Sequence, residues 1–127
     1  MATLIGYGPN AAQKYVTIWF RNKFKVADPT KLQWVKLRLR RDDGCIVRLN
    51  GVEIQRLNLP QGPVGPTTLA GVALSAGMES NWVTTYVNPA GTVAGENVFS
   101  VEVHQAAVTS PDLIFEAELT GMAMQGP

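Results

Sequence analysis

The sequence contains one cysteine, one histidine and hardly any net charge, and each shortage removes a class of explanation. Cys45 stands alone, so no internal disulfide framework exists; the residue reads as a buried free thiol, with a reactive one as the alternative. His104 stands alone as well, which excludes a multi-histidine metal centre. The 11 Lys and Arg against 10 Asp and Glu leave a formal charge of +1, so no long-range field recruits nucleic acid or an anionic membrane. No apolar run approaches the ~20 residues that a membrane-spanning helix needs, and the first residues lack a charged flank with an apolar signal core. If the protein is exported, its signal is expected outside this sequence. Convincing helical periodicity with caps is missing too, as is any repeat of roughly 20 to 50 residues.

What is present is strand alternation. At 127 residues the chain fits one domain, 1–127, with an ordered core expected over about 7–121. In Tyr15 to Val26, YVTIWFRNKFKV, residues Val16, Ile18, Phe20, Phe24 and Val26 share one parity, while Tyr15, Thr17, Trp19, Arg21, Lys23 and Lys25 share the other. Successive side chains of a strand point to opposite faces, so the first set is expected to meet a core and the second water. Gln33 to Arg41 repeats the pattern, with Val35, Leu37 and Leu39 inward and Trp34, Lys36, Arg38 and Arg40 outward.

Asp42, Asp43 and Gly44 read as a tight turn, followed by Cys45 to Leu49, apolar on almost every position and therefore expected to be a central strand. Asn50 and Gly51 suit the positive φ angles of a type I′ turn, which pairs that strand with Val52 to Leu57. Residues 58–81, rich in Gly, Pro, Ala and Thr, form a long covering loop, read equally as functional or as a plain crossing between two sheets. Trp82 to Val87 places Trp82, Thr84 and Tyr86 on one face. Asn97 to Gln105 turns Phe99, Val101 and Val103 inward and Ser100, Glu102 and His104 outward. Asp112 to Thr120 turns Leu113, Phe115, Ala117 and Leu119 inward, and the tail from Gly121 is expected to be loose. Short alternating strands between turns predict an all-β, two-sheet antiparallel β-sandwich, since each sheet must bury one face.

The order of YGPN, KYVTIWFRNKFKV, LRLRRDDGCIVRLNGVEI, ENVFSVEVHQ and SPDLIFEAEL resembles the galactose-binding-like jelly-roll accessory domains of secreted bacterial hydrolases, carbohydrate-binding modules among them. The resemblance spans Tyr7 to Gly121. It implies a jelly-roll fold, an extracellular location and covalent linkage to a catalytic domain, and it carries no catalytic signature.

Sugars present strips of C–H groups that stack on flat aromatic rings, with hydroxyls at the rim for polar groups. The candidate carbohydrate contacts are therefore Trp82, Tyr86, Trp34 and Trp19, with Arg21, Arg38, Arg40, Glu102 and His104 as hydrogen-bonding partners. Trp82 and Tyr86, four residues apart, would be separated by roughly 13 Å at about 3.3 Å per residue, the span of about two or three sugar units. The alternatives are that the loop covers some aromatics, that Trp19 packs with Arg21 as a cation–π pair, and that His104 is a structural residue. Asp42 and Asp43 fit a turn better than a glycosidase acid and base, which need a cleft between them. No cofactor is required, although Asp42, Asp43 and Asp112 with loop carbonyls offer oxygen ligands for calcium. The expected function is non-catalytic binding of a polysaccharide or oligosaccharide, of the β-linked plant glucan (cellulose) type. A structural or protein-interaction domain is the alternative, and a calcium-dependent adhesion domain a third.

Overall fold

A computed structural model describes residues 16–41, 43–71, 82–106 and 115–123. Among these, seven strands follow one another as β1 (Thr17–Val26), β2 (Leu32–Arg41), β3 (Gly44–Leu49), β4 (Val52–Leu57), β5 (Val83–Val87), β6 (Gly95–His104) and β7 (Phe115–Ala123). They form a four-stranded sheet in the order β1-β6-β3-β4 and a three-stranded sheet in the order β5-β2-β7, with every pairing antiparallel. The fold is the expected all-β sandwich. Only β3 and β4 are both consecutive and paired; every other connection moves the chain to the opposite sheet.

The inward parities meet between the sheets. Leu37 and Leu39 from β2 pack with Cys45 and Val47 from β3 and with Val101 and Val103 from β6, all sealed from water. Phe20 of β1 stacks on Phe115 of β7, ring centroids 4.8 Å apart, which joins the two sheets at one side of the core. Burying each large aliphatic side chain contributes about 1.5–3 kcal/mol, so the alternation seen in the sequence is also the main energetic reason for the fold. Cys45 lies inside this cluster as a free, buried thiol, and burial pushes its pKa up to about 12.

The hairpin forms at Asn50 and Gly51, with φ of 51° and 83°. Its tip is also docked. The Asn50 side chain donates to the Gly91 carbonyl and to Asn97 Oδ1 and accepts from the Val98 amide, while the fully buried Asn97 donates to the carbonyls of Val93 and Gly95.

Gly44 opens β3 where a Cβ would lie 2.8 Å from the Asn58 carbonyl oxygen, so the corner after β2 closes only around glycine. Asp43 in that corner is buried, and its Oδ2 accepts from the Ala106 amide at 2.7 Å, a structural use of a carboxylate read from sequence as part of a turn.

One expectation changes at the edge of an element. Gly121–Ala123 extend β7 along β2, with Gly121 opposite Val35 and Met122 opposite Trp34. The glycine hides this extension from a propensity reading, yet the pairing keeps it in the sheet. The covering loop is described over residues 58–71, where the Gly71 amide donates to the Asn58 carbonyl at 2.9 Å, and it connects β4 of one sheet with β5 of the other, the crossing between sheets that the sequence allowed. Residues 72–81, Asp42, Asp112, Leu113 and the segment before Val16 lie outside the described residues.

Candidate functional site

The outward side chains of the two sheets meet different fates. On the four-stranded sheet, the parity that excludes Val101 and Val103 from the outside places Glu102 and His104 on the outer face, as the alternation predicts. Water does not reach them. Glu102 is 2% exposed and His104 fully buried. The loop is tied to the sheet at this point: Thr17 Oγ1 donates to the Pro66 carbonyl at 2.7 Å, and His104 Nδ1 lies 2.6 Å from the Thr68 carbonyl. A carbonyl oxygen can only accept, so Nδ1 carries a hydrogen and donates. The other ring nitrogen, Nε2, is 2.7 Å from Glu102 Oε1, and Glu102 Oε2 receives Arg48 at 2.5 Å.

Glu102 and His104 therefore cannot reach sugar hydroxyls from this position, and their assignment as binding residues is corrected. Strand parity identifies the face a side chain points to but not what lies over that face. The structural reading of His104 is the one the geometry supports. Glu53, beside this group on β4, is joined to Arg56, and that hydrogen bond holds its carboxyl below the ordinary glutamate value. Arg56 reaches on to the carbonyls of Pro60 and Gly62, a second tie between sheet and loop.

Trp19 is exposed (58%) at the open side of this group, directly opposite Glu102 in the β1–β6 register. Its cationic neighbour is Arg48, with the guanidinium carbon 5.7 Å from the ring centroid, rather than Arg21. The neighbour of the same strand is two residues away, whereas Arg48 arrives across β6 from β3, a contact that only the strand order reveals. Arg21 is exposed and faces Ser100.

The outer face of the three-stranded sheet collects the remaining aromatics. Trp34 pairs across strands with Met122, and Lys36 with both Tyr86 and Thr120. Arg38 pairs with Thr84 and Glu118, and Arg40 with Glu116. Trp34, Tyr86 and Met122 are exposed (42%, 55% and 40%). Because Val35 faces Val87, Trp34 and Tyr86 are diagonal neighbours, a relationship that sets Cβ atoms roughly 7–8 Å apart and lets two large rings line one surface.

Trp82, just before β5, belongs to the same cluster but is half-buried. The Arg38 guanidinium carbon sits 4.1 Å from its ring centroid and that of Arg40 5.2 Å away. Arg38 is joined in turn to Glu118, and Arg40 to Glu116. The Trp82/Tyr86 pair of the sequence reading thus becomes a different arrangement: Trp82 carries guanidinium groups over its ring, and Trp34 is the exposed aromatic beside Tyr86. Lys36 and Met122 complete this surface. Sequence parity marks Lys36 as outward, but only the register brings it between the aromatics, and Met122 falls in the segment expected to be loose.

The arrangement offers a sheet face with two exposed rings, one methionine and a row of cations, suited to stacking and hydrogen bonding. Among the described residues no group of three or more His, Cys, Asp or Glu side chains is placed to hold a metal ion.

No family model matches the chain, and no curated protein matches its sequence. Among solved structures it is similar to a β-D-mannosidase from Dictyoglomus thermophilum, at 18% identity and a TM-score of 0.45 over 74% of this chain. The chain spans 9% of that protein's length.

Proposed function

We propose that the protein is a non-catalytic carbohydrate-binding domain of the galactose-binding-like jelly-roll type, which lays an extended polysaccharide across the outer face of β5-β2-β7. The carrying observation is the placement of Trp34 and Tyr86 as exposed diagonal neighbours on one sheet face. Pyranose rings stack on such a surface by their C–H faces. A β-linked plant glucan, whose extended chain presents those faces repeatedly, is the first ligand to test. Thr84 and Thr120 supply hydroxyl groups beside the aromatics.

A binding role rather than a catalytic one is supported by where the reactive side chains sit. His104 is enclosed and hydrogen-bonded through both ring nitrogens, and Cys45 is a core thiol. Glu116 and Glu118 lie exposed on the outer face of β7, each engaged by an arginine rather than facing one another as an acid and base pair. The domain would act by holding a covalently linked, secreted glycoside hydrolase near its substrate, which raises effective concentration without chemistry of its own. No cofactor is needed for stacking, so a chelator is expected to leave binding unchanged.

Isothermal titration with cellohexaose, backed by quenching of tryptophan fluorescence, tests the proposal. Binding that weakens in both Trp34→Ala and Tyr86→Ala supports it; absence of binding to any plant polysaccharide overturns it. One observation favours a second reading, a protein-interaction domain: Trp34 and Met122 stand side by side as an exposed apolar pair. A mass that rises with concentration, and falls back in Trp34→Ala, would favour that reading.

A further inference from the structure

The cations on the outer face of β5-β2-β7 are not equivalent. Arg38 is joined to Glu118 and Arg40 to Glu116, and both guanidinium groups pack over Trp82. Lys36 differs: it has no ion pair or hydrogen-bond partner among the described residues. It stands next to Tyr86 on one side and Thr120 on the other, with Trp34 two residues before it on the same strand. One half-buried lysine without a partner among the described residues therefore belongs to the face that carries Trp34 and Tyr86, where the two neighbouring arginines are already neutralised.

We propose that this face takes an acidic glycan, a chain containing uronate sugars, with Lys36 receiving a sugar carboxylate while Trp34 and Tyr86 stack on the rings. The inference rests on the carbohydrate-binding reading above and names its substrate class. Stacking accounts for affinity toward any pyranose chain, and it does not distinguish neutral from acidic units. A single positive charge between the stacking rings does, because a carboxylate on the bound sugar ring gains a partner there and a neutral hydroxymethyl gains only a hydrogen bond. Single-stranded nucleic acid also combines stacking with negative charge, but its binding depends on a groove of several unpaired cations, and among the described residues this face offers one.

The test compares hexagalacturonate, its fully methyl-esterified form and cellohexaose by isothermal titration at low salt, with a thymidine oligonucleotide alongside. Esterification removes the charge and leaves the ring chain in place. Hexagalacturonate is expected to bind about fivefold more tightly than its ester, the upper end for a half-exposed ion pair, and the difference is expected to vanish in Lys36→Gln. Equal binding of the two forms overturns the acidic-glycan inference while leaving the carbohydrate reading in place. Tighter binding of the oligonucleotide than of any glycan also overturns it. Failure of all three saccharides to bind removes the carbohydrate reading itself. The ester comparison uses the unmodified protein, so it does not depend on how well the variant folds.

Discussion

Glu102 and His104, two residues apart on one side of β6, are joined by a 2.7 Å hydrogen bond on a face that points away from the core and yet is closed to water. The pair links the sheet to the loop at Thr68 on one side and to Arg48, and through it Trp19, on the other. A surface position by parity has become an interior polar site.

Removing the imidazole leaves the Thr68 carbonyl without its donor and Glu102 without one of its two partners. His104→Ala is expected to cost about 3 kcal/mol in urea unfolding, the scale for breaking a buried charged or polar pair. Amide exchange at Ala70, which donates to the Gln105 carbonyl, should accelerate in the same variant. Unchanged exchange there would show that the histidine does not hold the loop.

Cys45 gives a pH signature. Burial raises the thiol from its ordinary value of 9.0 to about 12 in the folded protein. Between those values the unfolded chain loses the proton and the folded one keeps it, so the unfolded state binds fewer protons and gains ground. The thiol's contribution is present in full below pH 9.0 and is lost as pH rises toward 12. Unfolding midpoints should fall over that range more steeply than in Cys45→Ala. Native protein at pH 8 should leave a thiol-specific chromogenic reagent unreacted until denaturant is added.

Acid acts through the opposite sign at Glu53. Its carboxyl titrates below the ordinary 4.5 because Arg56 donates to it, so the interaction is intact above that pH and lost as pH falls through the depressed value. The same guanidinium holds the carbonyls of Pro60 and Gly62. Arg56→Lys keeps the charge and loses the fork, so proteolysis in the loop should become faster even at neutral pH, where a merely electrostatic role would leave it unaltered.

Asn50 joins a turn requirement to a docking role. Asn50→Gly keeps the positive φ and the backbone bond to the Val98 carbonyl but removes the side-chain bonds to Gly91, Asn97 and the Val98 amide. A cost of about 2 kcal/mol is expected, the range for leaving buried polar groups without partners. A cost near zero would mean that Gly51 and the turn geometry alone hold the hairpin.

Binding should separate the two sheets. Trp34→Ala and Tyr86→Ala are each expected to weaken glycan affinity about tenfold, the scale of one lost aromatic stack. Trp19→Ala, on the other sheet, should leave affinity unchanged in the same titrations. Equal losses from all three would require a ligand spanning both sheets.

Much of this architecture is legible in the residues. Alternation in VTIWFRNKFKV and WVKLRLRR marks both the strands and the inward faces, and Asn50-Gly51 marks the hairpin, because these signals act over neighbouring residues. What the residues do not reveal depends on partners distant in the chain. Sheet membership separates Trp19 from Trp34, Trp82 and Tyr86 through pairings such as Val35 with Val87 and Lys36 with Thr120. The enclosure of Glu102 and His104 depends on a loop some 40 residues earlier in the chain, and the guanidinium cover on Trp82 on a strand just as far from it. Lys36 looks like an ordinary wet-face lysine until that register sets it between Tyr86 and Thr120.

The three strands bearing the aromatic surface are drawn from the beginning, the middle and the end of the fold, and β2 at its centre waits for β7 to supply its second neighbour. Pairings that distant close slowly, because the loop entropy is lost before the contacts form. A chain emerging from the ribosome would complete the four-stranded sheet first, since β6 precedes β7. The face bearing Trp34 and Tyr86 would come last, so recovery of the Trp34 environment during refolding would report arrival at the finished protein.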